Sequence, residues 1–445
     1  MRMFFFMLLF MYAARSSAQS FGNGNLVVVR IGTGDTPMTA GAAQPVYLDE
    51  YTPCGELVRS IALPVAINGS HRRLTLPSSV TDYTEGFISL SEDGQYLALA
   101  GYDAAAGTAS VTGTTSATVN RTVAVIDASG NVNTTTAFSN RFSAVSIRSA
   151  VVNGTAIWAA GGSGGIVYAA LGSTGTSNTQ ITTLTGRCLG IYDGQLYTTS
   201  TATGFRMARV GAGLPTTAGQ AMQNLPGYPS TSGSPLQFFM ARLGGSDTVN
   251  VLYIADNNVL KKYSLVSGSW VDNGTIGVFG DKYRGVTGIV SDDDIILYTI
   301  RRNDNRGELI RFTDTTGYNA NFSGLKPVIV AQADTNKVFR SVAMAPQPVL
   351  LPLMARSSTS SRSTDFRVLA GDKGQPLLAE LITSQPVSGV VNVCDLNGRL
   401  LYTRRVTAEK GINRMLLEMP ASARGLYMAT FIPLHGNILT SKFIY

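Results

Sequence analysis

The 445-residue sequence predicts an all-β fold: a six-bladed β-propeller closed by its N-terminal strands, then a small immunoglobulin-like β-sandwich. Three observations predict it. Short apolar strands separated by turn residues fill the chain, with no useful stretch of helical periodicity between them. One kind of strand start recurs six times at steps of about 40 to 60 residues, as in an array of repeated units. Near the C-terminus the composition shifts, and a separate run of short strands follows.

Residues 1–18 read as a secretory signal peptide. Arg2 gives a positive start, residues 3–12 are apolar, and Ser16-Ser17-Ala18 offers small residues for cleavage before Gln19. No other stretch approaches the roughly 18 apolar residues of a spanning helix. The expectation is a soluble extracellular protein without a transmembrane segment, acting as a monomer.

The mature chain opens with strands at 25–31, 45–50 and 56–63, none of which has the recurring start. The starts are Glu85-Gly86-Phe87-Ile88, Arg148-Ser149-Ala150-Val151, Arg187-Cys188-Leu189-Gly190, Gln237-Phe238-Phe239-Met240, Arg284-Gly285-Val286-Thr287 and Arg340-Ser341-Val342-Ala343. Each begins a unit of three or four strands. The second unit is expected at 149–152, 156–160, 165–170 and 180–184. The third is expected at 189–192, 195–199 and 205–210 with a weaker fourth strand, and the fifth at 286–291, 295–301, 308–313 and 327–331. Turn signals such as Asp93-Gly94, Asn153-Gly154 and Asp193-Gly194 separate them.

The last start, at Arg340, is followed by a single strand, 341–345. That strand and the three N-terminal ones make one blade, which closes the ring at six and removes two open sheet edges. Seven blades is the alternative, because the interval from Glu85 to Arg148 is long; residues 104–117 within it read as a protruding loop. The propeller is assigned to 19–347, a Ser/Thr/Arg-rich linker to 348–365, and a seven-stranded sandwich to 366–445.

In that last unit, Val391-Asn392-Val393-Cys394-Asp395-Leu396-Asn397-Gly398-Arg399-Leu400 resembles the strand, Asp-x-x-Gly-Arg, strand motif of type IX secretion C-terminal sorting domains. Gly411-Ile412-Asn413, Arg424-Gly425-Leu426-Tyr427 and the terminal Ser441-Lys442-Phe443-Ile444-Tyr445 extend the match over the final 80 residues. The Pro-Asn-Pro that often opens such domains is replaced by Ala370-Gly371-Asp372. The resemblance implies a Bacteroidota-type bacterium and the type IX machinery as partner. It also implies export to the cell surface or medium, with attachment to lipopolysaccharide or release. Asp395, Gly398, Arg399, Gly411, Gly425, Tyr427 and Lys442 carry the motif. The propeller is similar to uncharacterised secreted propellers that accompany such tails, which implies a fold and no activity.

Net charge is +7, of which the signal peptide holds two arginines and the region from Met354 onward an excess of five. The middle of the chain is therefore neutral and lacks the basic stripe of a nucleic-acid binder. Cys54, Cys188 and Cys394 form no metal-type spacing. Cys188 and Cys394 read as buried thiols, with a Cys54–Cys188 bridge possible. His71 and His435 are the only histidines, and neither sits in a triad or zinc motif.

The strand starts remain as the candidate site. Around a ring, Arg148, Arg187, Arg284 and Arg340 with Glu85 and Gln237 would rim one mouth of the channel. Guanidiniums there suit carboxylate, sulfate or phosphate, hence a glycan or polyanion ligand. The other reading is that each arginine bonds carbonyls of a neighbouring blade and holds the ring. No catalytic residue and no cofactor is expected. An enzyme alternative hangs on Glu85-Gly86, which looks like the Glu-Gly start of calcium-dependent six-bladed lactonases. It would make the protein a hydrolase or lyase with Ca²⁺ at Glu85.

Overall fold

The computed structural model describes residues 20–78, 84–291, 294–302, 306–348, 364–369, 377–395, 400–417, 426–433 and 439–444. Residues 1–18, read above as a signal peptide, and most of the expected linker 348–365 lie outside them. Among the described residues no helix is long and apolar enough to cross a membrane.

The strands are apolar on both faces where they stack between neighbours. Leu26–Ile31 and Val251–Asp256 are buried at every position. An element covered on two sides has no solvent face to mark with polar residues, so clean alternation is lost. The result is a β-propeller of antiparallel sheets.

The sheet starting after Arg148 runs Ile147–Asn153, Ala156–Gly161, Ile166–Ala170, Thr179–Thr182. The next runs Leu189–Tyr192, Gln195–Thr199, Met207–Val210, Met222–Asn224. It is followed by Pro235–Ala241, Val251–Asp256, Val259–Val266, Ser269–Ile276. Then come Tyr283–Ser291, Asp294–Arg301, Glu308–Asp314, Val328–Gln332.

The strand Val338–Met344 pairs antiparallel with Leu26–Ile31, Leu26 opposite Met344. Leu26–Ile31 pairs in turn with Ala43–Tyr51, and that strand with Leu57–Ala62. The group after Glu85 consists of Ser89–Leu90, Tyr96–Tyr102, Arg121–Asp127 and Val132–Phe138. The innermost strands adjoin in sequence, and Val338–Met344 adjoins both Tyr283–Ser291 and Ser89–Leu90.

Two short strands tie neighbouring groups together. Thr75–Pro77 pairs with Ala43–Pro45 and reaches Tyr102. Thr174–Gly175 pairs parallel with Ala137 and Phe138 of the preceding group. Residues 104–117 carry no strand, only a 3₁₀ turn at Val111–Gly113. The loop is anchored, not free-standing: Val111 and Ser116 are buried, and Arg121 holds it from below. Arg121 donates to the carbonyls of Val119 and Thr114 (both 2.6 Å) and of Phe142 (3.0 Å).

The small residue after the Glu85, Arg148, Arg284 and Arg340 starts has a steric cause. Ser341 Oγ donates to the Gly86 carbonyl (2.6 Å) and accepts from Ile88 N (3.0 Å). Ser149 Oγ accepts from Leu189 N (3.1 Å) in the next sheet. A Cβ at Gly285 would stand 2.9 Å from Ser341 Cα, and one at Gly86 2.8 Å from Leu76 Cδ1, where φ is also +83°. Near the axis the inner strands are too close for a larger side chain.

The C-terminal unit has a three-stranded sheet, Thr364–Leu369, Leu378–Thr383, Gly411–Leu416. Its four-stranded sheet runs Leu400–Ala408, Val387–Asp395, Leu426–Pro433, Leu439–Ile444. Phe366, Leu381, Val391, Val393 and Phe431 form its core.

A disulfide joins Cys54 to Cys394 across 340 residues, while Cys188 is a free, buried thiol. This corrects two expectations, the buried Cys394 thiol and a Cys54–Cys188 bridge. Cys54 lies in the turn between Ala43–Tyr51 and Leu57–Ala62, and the C-terminal unit lies against that turn.

Candidate functional site

The inner strands all start on one face of the propeller, here the leading face, and end on the opposite, trailing face. Each predicted arginine uses part of its guanidinium on an adjacent sheet. Arg148 donates to Ser146 Oγ (3.0 Å) and to the Gly186 carbonyl (3.4 Å). Arg187 donates to Ser234 Oγ (2.8 Å) and the Pro235 carbonyl (3.3 Å). Arg284, 3% exposed, donates to Asn257 Oδ1 (2.8 Å). Arg340 is fully buried and donates to the Pro77 carbonyl.

Arg148 and Arg284 both lie within electrostatic reach of Arg187. Burial first, then the like charges of Arg148 and Arg284, lower the Arg187 pKa to about 10, with Asp256 opposing. Burial also lowers Arg148, against the attraction of Glu85 and Tyr102. Arg187 Nε is buried without a hydrogen-bond partner. Asp256 is itself engaged by Lys261 (2.6 Å). Among the described residues, Glu85 and Asp256 are the carboxylates that act on Arg148 and Arg187.

A further arginine, Arg206, adds to the field on Arg187. It is fixed by the carbonyls of Phe205 (2.7 Å) and Thr231 (2.6 Å). It lies in the loop between Gln195–Thr199 and Met207–Val210, outside the repeating starts, so repeat phase carries no signal for it.

Gln237 does not rim the mouth. It is buried, and its Nε2 donates to the carbonyls of Ile88 (2.8 Å) and Val342 (3.0 Å), reaching across the axis to two other inner strands. Gln237→Leu would strand both carbonyls. The expected cost is about 2–4 kcal/mol, read as a fall of several degrees in Tm by calorimetry.

Glu85, 7% exposed, accepts from Thr112 Oγ1 (3.1 Å) and Thr84 N (3.2 Å) and attracts Arg148. Calcium takes six to eight oxygen ligands. Among the described residues Glu85 has the Thr112 hydroxyl and the Arg148 charge as neighbours, and no group of three or more His, Cys, Asp or Glu converges.

Toward the other end of the channel lies a cavity of about 510 Å³, walled by the inner strands from Cys188, Gln237 and Val286 near their starts to Tyr192, Ala241, Val290 and Met344 toward their ends. Of the six predicted site residues only Gln237 touches it. Its lining consists largely of consecutive apolar residues of the inner strands, such as Leu189–Tyr192 and residues 238–241, which read as ordinary core in the sequence.

Among the sorting-motif residues, Gly398, Arg399 and Gly425 lie outside the described residues. Asp395 pairs with Tyr427 in register, and the Tyr427 ring lies 5.7 Å from Phe443. Gly411 has φ +114° at the start of its strand, and Lys442 is exposed.

No protein family matches the chain, and no curated protein does. Among solved structures, hydrazine synthase of Kuenenia stuttgartiensis is similar over 68% of this chain and 77% of its own, with 12% identity and a TM-score of 0.34. The β-propeller domain of Cps50 (Swd1) from Myceliophteria thermophila is similar over 58% of this chain and 96% of its own, with 10% identity and a TM-score of 0.31. Dihydro-heme d1 dehydrogenase NirN in complex with DHE matches over 88% and 75%, with 12% identity and a TM-score of 0.35.

Proposed function

We propose that this chain is a secreted or cell-surface binding protein, a six-bladed propeller closed by its N-terminal strands, whose leading mouth takes an anionic glycan or polymer. The observation that carries the ligand class is the convergence of Arg148, Arg187 and Arg284, with a buried Arg187 Nε left unbonded. Guanidiniums that repel one another are relieved by a bound carboxylate, sulfate or phosphate. The reading of six blades rests on the pairing of Leu26–Ile31 with Val338–Met344 and on the cyclic contact of the inner strands. Export by the type IX machinery rests on the terminal motif, with lipopolysaccharide as the candidate anchor.

The test is a screen of the full chain against neutral glycans and against sulfated and uronic-acid polymers. Binding confined to the acidic set and weakened by salt is expected. Arg187→Ala should reduce it about tenfold to a hundredfold, the value of one charge-assisted hydrogen bond. Retention of no acidic polymer, or full binding by a folded Arg187→Ala, would sink the reading.

A further inference from the structure

The cavity at the trailing end differs in chemistry from the leading mouth. Tyr192, Phe238, Met240, Val286, Val290 and Met344 contribute to its wall. Most polar groups around it are already committed, with the Gln237 Oε1 left as a buried acceptor that has no hydrogen-bond partner. Ser89 donates to the Ala150 carbonyl, and the Gln237 amide donates to Ile88 and Val342. At the rim Arg242 pairs with Asp193, Asp193 also accepts from Val249 N (2.7 Å), and Glu92 accepts from Gly194 N (2.9 Å). Cys188 faces the same space, and burial pushes its thiol up to about 12, so it lines the wall as a neutral, apolar group. The interior therefore offers no charge for an ionic ligand to pair with.

A second cavity, about 800 Å³, adjoins the first, and Leu90, Gly288 and Met344 line both. Its far side is formed by Met428, Thr440 and Lys442 of the C-terminal unit. Cys394, Met428 and Lys442 stand opposite one another on three adjacent strands. The disulfide from Cys394 to Cys54 therefore holds this row of the sheet beside the cavity. A bulky macromolecular surface cannot reach the inner recess past that unit, whereas a small molecule can.

We propose that the trailing end of the channel is a second binding site, for a small, uncharged, predominantly apolar molecule. The volume lies within the roughly 300–1,000 Å³ of sites that enclose small organic ligands. The site is separate from the anionic one in position, charge and wall chemistry, and it does not depend on that reading.

The uncharged solvatochromic dye Nile red tests it on the full chain. Saturable, blue-shifted fluorescence at one dye per protein is expected, unchanged by excess sulfated polysaccharide. Val290 is 40% exposed, so Val290→Asp places a charge on the wall without burying it in the frame. That variant should weaken dye binding at least about tenfold. Met344→Lys, on the wall shared by the two cavities, serves as the second variant, and both are checked for an unchanged melting transition. Absence of a saturable signal, displacement by the polysaccharide, or wild-type dye affinity in either folded variant overturns the proposal.

Discussion

Replacing Lys262 with methionine is expected to cost about 3–5 kcal/mol, the price of stranding a buried carboxylate. Lys262 is fully buried, and its Nζ lies 2.8 Å from Asp314, which is 1% exposed. The ammonium also donates to Thr316 Oγ1 (2.9 Å) and the Gly317 carbonyl (2.8 Å). Asp314 accepts from Tyr253 OH (2.6 Å) and from the Thr316 hydroxyl (2.6 Å) and amide (2.9 Å). Lys262 and Tyr253 belong to one sheet and Asp314 to the next, so the network bolts two blades together. Thermal unfolding of Lys262→Met, Asp314→Leu and the double variant separates pair from packing. The double variant should recover most of the loss, because a well-packed apolar pair can replace a buried ion pair at little cost. A loss below about 1 kcal/mol in Lys262→Met would contradict this account.

The same network sets a pH dependence. Burial raises the Asp314 pKa, but the hydrogen bonds from Lys262, Thr316 and Tyr253 together outweigh it and bring the pKa below the ordinary value. A carboxyl with a depressed folded pKa binds its proton more readily when unfolded. Its contribution is therefore present above the unfolded value, near 4, and is lost as pH falls through the folded one. Wild-type melting should drop across that acidic window, and Asp314→Asn should flatten that part of the profile.

How much of this was open to sequence reasoning depends on the range of the interaction. The strands around Asn153-Gly154 and Asp193-Gly194 are legible because a tight turn needs particular residues at fixed local positions. Gln195–Thr199 has the expected bounds, and Ala156–Gly161 differs by one residue. The recurring starts are legible for a similar reason: crowding at the axis favours a small residue after most of them, Gly86, Ser149, Gly285 and Ser341 among them. What those starts do is less legible. Arg340 and Arg187 look alike in the chain, yet one is fully buried against the Pro77 carbonyl and the other reaches Ser234 and the Pro235 carbonyl of the next sheet. Gln237 occupies a start position but spans the axis. These differences come from partners more than a hundred residues away or in other sheets, and no local pattern encodes them. The trailing cavity is hidden for another reason, since its wall is made of the same apolar types as the core.

Cutting the chain between the two units should fail to separate them. With a specific protease site inserted within 355–363, the cleaved halves are expected to migrate together on a non-reducing gel and apart once reduced. The cause is the bond from Cys54 to Cys394, which closes a loop of about 340 residues. On a chain-entropy basis such a link constrains the unfolded chain by about 5 kcal/mol. Cys394→Ser should let the halves part without reductant and should lower the melting temperature of the C-terminal unit by calorimetry. Separation of the wild-type halves under oxidising conditions would refute the link. The consequence reaches the proposed export route. Proteolysis between the units alone leaves the propeller tied to the C-terminal unit, with that unit still beside the trailing cavity. Freeing the propeller therefore takes two chemical events, peptide cleavage and disulfide reduction. An assay that follows only the first would count tethered protein as released.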